Sequence, residues 1–253
     1  MPDPWTLLSA ELQAWQERGA TPTLWWRDDD AQRQTPALER LCQLSRHYSV
    51  PLSLAVIPAG AEPSLLPLFA VTPQLMALQH GYQHHNHARA DQRKCELGDN
   101  RPLTEVVAEL QRGGDQLRQL LGDRFAAVLV PPWNRYNLDL SEQLAGLGCI
   151  GLSTLGPRSQ SCEHGLRINN VHVDLINWRR GGCFAGDTAV LAQLVRHLKQ
   201  RRLGEVDSEE ASGLMTHHLA HDADCWQFCQ RLFEFMADHP VRWLSARQCF
   251  DPA

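Results

Sequence analysis

Short apolar runs alternate along the chain with longer stretches of helical period, the pattern of β/α units built on a largely parallel sheet. Candidate strands cover Thr23–Arg27, Pro51–Ile57, Leu78–Gly81, Ala126–Val130, Cys149–Thr154, Val171–Leu175, Ser212–Thr216 and Val241–Leu244, and eight is their upper count. Helical spacing covers Pro36–His47, Thr72–Ala77, Leu103–Leu121 with a Gly113-Gly114 interruption, Leu138–Leu147, Thr188–Arg202 and Ala223–Ala237. An amphipathic Trp5–Glu17 segment precedes the first strand, so residues 1–20 read as a helical extension of one domain spanning residues 1–253. This alternation either closes into a barrel or forms an open doubly wound sheet, and periodicity does not choose between them. Asp91–Arg101 and Gly156–Asn169 read as surface loops, the second long enough to be a substrate-binding insertion.

Composition narrows the partners. With 253 residues and 43% hydrophobic content the chain can bury a substantial core. A net charge of −5 gives no basic footprint, which argues against nucleic acid as the principal partner. No run of about eighteen apolar residues and no basic leader is seen, so no membrane span is expected and the cytoplasm is the default compartment. The eight cysteines are scattered without CxxC spacing and read as reduced thiols rather than a disulfide frame. Nothing in the sequence sets the oligomeric state.

The candidate chemistry gathers at strand ends. The first strand delivers Asp28, Asp29 and Asp30, three adjacent like charges where a helix cap needs one or two. His80, His84, His85 and His87, a third of the twelve histidines, fall within eight residues after another strand. His80 and His84 flank a three-residue turn and can aim at one point; an Asp from the first strand would make a three-ligand metal site with an open position. His85 and His87 read as rim residues. A late strand ends in His217, a candidate general acid, followed by His218 and His221, which read as helix-start or loop residues. Two further strand ends carry Pro131-Pro132-Trp133-Asn134-Arg135-Tyr136 and Asp174-Leu-Ile-Asn177-Trp178, aromatics beside polar groups that suit a sugar ring.

Taken in order, these segments resemble the polysaccharide deacetylases, the NodB-like carbohydrate esterase family 4. Arg27-Asp28-Asp29-Asp30-Ala31 is similar to that family's Thr-Phe-Asp-Asp-Gly motif, and His80-Gly-Tyr-Gln-His84 to its two-histidine motif. Val130-Pro-Pro-Trp133, Asp174-Leu-Ile-Asn-Trp178 and Met215-Thr-His217 correspond to the remaining three. The resemblance implies a distorted (β/α) barrel of about seven units. It also implies a divalent transition metal on Asp30, His80 and His84, most naturally zinc, with cobalt, nickel or manganese as alternatives. Asp29 becomes the base, His217 the acid and Asp174 the partner of the catalytic imidazole; a one-residue shift of the first motif makes Asp28 the base and Asp29 the ligand. The Trp133 N–H would hold an oxyanion, and Pro132, Trp133, Tyr136 and Trp178 would bind substrate.

The reaction implied is metal-dependent removal of an acetyl or other acyl group from an N-acetylated sugar or glycan precursor, a small molecule or an oligosaccharide. The sequence departs from the pattern at Ala31, Val130 and Asn177, and the place of the motif arginine at Val130 falls to Arg27, to Arg135 or to neither. That loss motivates a second reading, a retired glycan-binding protein on the same fold. A third, a metal-dependent amidohydrolase, rests on His85-Asn-His87 and needs that pair after the first strand, where the aspartates stand instead.

Overall fold

A computed structural model of the chain describes residues 3–250; Met1 and Pro2 of the expected extension lie outside the described residues. In chain order the elements are α1 (Pro4–Glu17), β1 (Thr23–Ala31), α2 (Pro36–Tyr48), β2 (Leu52–Val56), α3 (Leu66–Val71), β3 (Leu75–His80), α4 (Leu103–Leu121) and β4 (Phe125–Val130). There follow α5 (Ser141–Leu144), β5 (Gly151–Leu152), β6 (Cys162–Glu163), β7 (Leu166–Ile168), β8 (Val173–Asp174), β9 (Ile176–Asn177) and β10 (Cys183–Phe184). The chain closes with α6 (Asp187–Leu203), β11 (Ser212–Thr216), α7 (Ala223–Ala237), β12 (Arg242–Leu244) and α8 (Ala246–Phe250).

The sheet runs β6-β7-β5-β4-β3-β2-β1-β11-β8, with β12 added beside β1. Every ladder from β5 through to β8 is parallel. Every residue of β2, β3 and β11 is buried, as expected where a parallel sheet is covered on both faces. Between β5 and β8 no ladder forms. The gap is bridged where the Val171 N–H donates to Thr154 O at 3.0 Å and the Gly156 N–H donates to Val171 O at 2.8 Å. The result is a distorted (β/α) barrel whose staves are β1 to β5, β8 and β11.

Side-chain alternation along β1 divides the core. Trp25 points inward with Ala55, Leu78 and Val128, while Leu24 and Trp26 face the layer formed with α2, α6 and α7. The N-terminal helix lies on α6, where the Trp5 indole N–H donates to Asp187 Oδ2 at 2.9 Å and Arg202 grips Glu11 at 2.7 and 2.9 Å.

Four expectations change. Thr72–Ala77 is not a helix: Thr72 precedes a proline and adopts ψ 85°, ending α3, and residues 75–77 join β3. The helix over Leu138–Leu147 breaks into a turn of α-helix flanked by 3₁₀ turns. The two loops are also more ordered than their polarity indicates. Residues 156–169 contain the β6–β7 hairpin, and residues 91–101 bury Glu96 and Leu97, the latter bridged to Tyr136. Short pairs such as β9–β10 raise the number of strand segments beyond eight, because a two-residue ladder is too short to carry a hydrophobic period.

Candidate active site

The carboxyl ends of β1, β3 and β11 meet in a cleft of about 350 Å³. The register of β1 on β2 shifts between Asp28 and Ala31, and Asp30 at that irregularity takes φ 73°, which turns its carboxylate toward β3. There Asp30 Oδ1 lies 3.1 Å from His80 Nε2 and 3.3 Å from His84 Nε2. The three ligand atoms converge within 4.8 Å.

The tautomer of His80 follows from its other nitrogen. Nδ1 lies 2.9 Å from the Val130 carbonyl, which can only accept, so in the neutral ring Nδ1 carries the proton and Nε2 presents its lone pair to Asp30. Two imidazoles and a carboxylate sharing one point repel unless a cation lies among them, and a borderline-soft divalent metal matches this donor set. The same crowding perturbs the free groups. Burial disfavours the Asp30 carboxylate, but a hydrogen bond from the protonated His80 ring and the nearby imidazoles outweigh it and hold its pKa below the ordinary range. Burial likewise disfavours protonated His80, yet Asp30 and Asp29 raise it, whereas burial and the neighbouring His80 lower His84.

The turn carrying His84 is held from outside the motif. Glu96, fully buried, accepts the Tyr82 N–H at 3.2 Å and the Gln83 N–H at 2.7 Å. Gly81 at φ 55° leaves room for that carboxylate; a Cβ there would stand 2.0 Å from Glu96 Oε2 and 2.6 Å from the Pro132 ring. His84 and Trp133 both sit at φ 56° and Asn134 at φ 55°, so with Asp30 four cleft residues occupy the left-handed region, at about 1–3 kcal/mol each.

Asp29 points into the same cleft and is gripped by Arg27 from its own strand, since residues two apart share a face. Arg27 Nη2 donates to Asp29 Oδ2 at 3.0 Å, and Nε lies in ionic contact with Oδ1 at 2.8 Å. The remaining guanidinium donors reach Ser153 O, Ser153 Oγ and Asn134 Oδ1. Arg135 instead donates to the Lys94 carbonyl, so of the two arginines it is Arg27 that meets the carboxylate. Asp28 faces the opposite side of the strand, away from the cleft, with Thr216 and His218.

Across the cleft stand His217, Asp174 and Trp178. Asp174 makes no hydrogen bond to His217; it accepts from the Ile176 N–H at 2.9 Å and the Trp178 indole at 3.0 Å, and the Trp178 ring meets the His217 ring edge-on at 4.8 Å. Burial raises the Asp174 pKa, with His217 acting in the opposite direction. Trp133 lines the cleft and packs against His84, with ring centroids 4.3 Å apart and the planes tilted by 48°; its N–H precedes the first bond closing the Pro132–Asn134 turn, made by Asn134 to Pro131 O. Pro132 and Tyr136 do not line it. Pro132 is buried behind Gly81, and Tyr136 turns into an adjoining depression of about 550 Å³ reached across Asn134 and Arg135. Leu155, Asn134 and Met215 take their places on the wall. His85 is exposed and His87 half-buried, outside this wall.

A second cluster, His172, His197 and Glu210, is buried at the other end of β11. It is not built for one ion. The rings stack at 3.4 Å with 14° between their planes, and imidazole lone pairs lie in the ring plane, so no single point serves both. The Gly213 N–H donates to His172 Nδ1, which places the neutral ring's proton on Nε2, 3.3 Å from Glu210.

No family profile matches the chain, and no curated protein matches it in sequence. Solved structures do match in fold. A family 4 carbohydrate esterase from Streptomyces lividans aligns with a TM-score of 0.56 at 15% identity over 86% of this chain and 88% of its own. The peptidoglycan deacetylase PdaC from Bacillus subtilis gives 0.57 at 10% identity over 90% of each chain. The chitin deacetylase of Colletotrichum lindemuthianum gives 0.57 at 13% identity over 92% and 89%. The chain therefore has the fold of the carbohydrate esterase 4 deacetylases, as its five motifs led us to expect.

Proposed function

We propose, from a fold shared with these deacetylases, that the chain as one catalytic domain is a metal-dependent hydrolase removing an acetyl group from an N-acetylated sugar or glycan. The observation that carries this reading is the convergence of the Asp30, His80 and His84 ligand atoms beside the Arg27-oriented Asp29 carboxylate. Asp30, His80 and His84 would hold a divalent ion, with zinc the first choice. When bound, such an ion supplies Lewis-acid polarisation of the acyl carbonyl and makes water a stronger acid.

The chain's own groups supply the rest. Asp29, fixed in orientation by the guanidinium fork, takes a proton from the attacking water. The Trp133 N–H donates to the oxygen on which negative charge develops. His217, facing the cleft opposite Asp29, gives a proton to the departing amine as the C–N bond breaks, leaving acetate and the free amino sugar. Trp178, half-exposed at the cleft rim, offers a face for the apolar side of a sugar ring. Arg27 beside Asp29 supports hydrolysis over a binding-only protein, because it supplies the cation that Val130 does not.

Metal analysis of the purified protein tests the site. One transition-metal ion per chain, lost in both Asp30→Ala and His84→Ala, is the expected result; unchanged metal content in both variants removes the ligand assignment.

A further inference from the structure

β1 carries three consecutive carboxylates, and the chemistry above uses two. Asp28 is fully buried on the helix-facing side of the strand, a costly place for a polar group unless its hydrogen bonds are met. They are met entirely by residues on either side of His217. Asp28 Oδ2 accepts the Thr216 hydroxyl at 2.7 Å and the His218 N–H at 3.0 Å, while Oδ1 meets His218 Nδ1 at 2.5 Å. The direction of the first bond is set by Trp26, whose indole N–H donates to the same hydroxyl at 2.9 Å. The hydroxyl's one proton then goes to the carboxylate rather than to the Arg27 carbonyl, which is 3.5 Å away.

His217 itself is held by little else that is polar. Its Nδ1 is buried and has no hydrogen-bond partner among the described residues. Asp174, the residue expected to orient it, is engaged by Ile176 and Trp178 instead. The backbone at His217, φ −137° and ψ 88°, leaves the strand there, so the direction of the imidazole depends on where residues 216 and 218 are tied.

We infer that Asp28 and His218 form a positioning unit: one buried carboxylate, bonded to both neighbours of His217, fixes the backbone that aims the His217 imidazole into the cleft. The inference rests on the acid role given to His217 above. Asp28 and His218 touch no substrate in this reading.

The test is a double-mutant cycle with Asp28→Asn, His218→Gln and the pair, measured on metal-loaded protein for acetate release, metal content and thermal unfolding. Asn keeps one acceptor oxygen for the Thr216 hydroxyl and the His218 N–H but puts an NH2 where Oδ1 stood, so the His218 Nδ1–H loses its carboxylate acceptor. Each folded single variant should lose on the order of 10²-fold in kcat, the effect of about 1 Å of misplacement, with KM within about twofold and metal content unchanged. The pair should be little worse than the worse single variant, as expected for residues acting as a unit. Should Asp28→Asn not fold, His218→Gln alone decides. A kcat within about twofold of wild type in a folded, metal-loaded variant overturns the proposal. His217→Ala separates this inference from the reading beneath it. If that variant retains acetate release, or wild type shows none, the acid assignment fails and the imidazole NMR signals of His217 decide: shifted or split in His218→Gln supports the clamp, unchanged overturns it.

Discussion

Removing Arg27 isolates the energetic term on which the Asp29 carboxylate depends. The guanidinium is fully buried and Asp29 is 2% exposed, so Arg27→Met leaves a largely desolvated carboxylate without its ion-pair partner. Breaking one side of a buried pair costs about 3–5 kcal/mol. The Ser153 carbonyl, which accepts from Arg27 at 3.2 Å, loses a partner in a buried setting at about 1–3 kcal/mol more. Asn134 is half-buried and can recover a partner from water. The expected loss is therefore about 4–8 kcal/mol, comparable to the whole stability of a typical domain. Arg27→Lys keeps the charge but not the fork and should cost about 2–3 kcal/mol. The informative variant is Arg27→Met with Asp29→Asn, which removes both charges and should recover about 2–4 kcal/mol relative to Arg27→Met alone. Urea unfolding, read as midpoint and slope, measures all three. A loss under about 1 kcal/mol for Arg27→Met, or a double variant less stable than Arg27→Met, would refute the buried-pair account.

Other consequences are as direct. Burial, with His172 and nearby arginines, pushes the His197 pKa down to about 2, so between pH 6.5 and 2 the unfolded chain binds a proton that the folded one does not. Stability from this group is full above pH 6.5 and falls with acid, by about 2 kcal/mol at pH 5, and His197→Gln should flatten that slope in unfolding experiments. Gly81→Ala places a methyl against Glu96 and Pro132 and should weaken metal binding by about 10–100-fold in a chelator competition; unaltered affinity would mean that the turn tolerates displacement. Trp178→Ala should raise KM for a sugar substrate by about tenfold with little change in melting temperature, since the ring is 52% exposed.

Much of the barrel could be read from the sequence because β2, β4, β11 and the first half of β1 are largely apolar runs with helical period between them. β3 was read three residues late: Leu75, Met76 and Ala77 favour helix locally, and only pairing between β2 and β4 makes them strand. The metal-ligand candidates were legible through spacing, yet the orientation of the three aspartates was not. It depends on a strand irregularity and on a left-handed Asp30, neither of which leaves a compositional mark. Glu96 was hidden for a different reason. A single glutamate in a polar segment looks solvated, and its burial follows from unpaired N–H groups after Gly81 that only the folded turn creates. Arg27 and Arg135 were equal candidates on sequence, and three-dimensional reach separated them.

The most direct test of the central claim is acetate release from a panel of N-acetylated oligosaccharides and nucleotide sugars, comparing metal-loaded wild type with Asp29→Asn. The account predicts release by wild type and its loss in Asp29→Asn with metal content retained. Absence of release from every N-acetylated substrate by the metal-loaded wild type, or equal release by the variant, would contradict it.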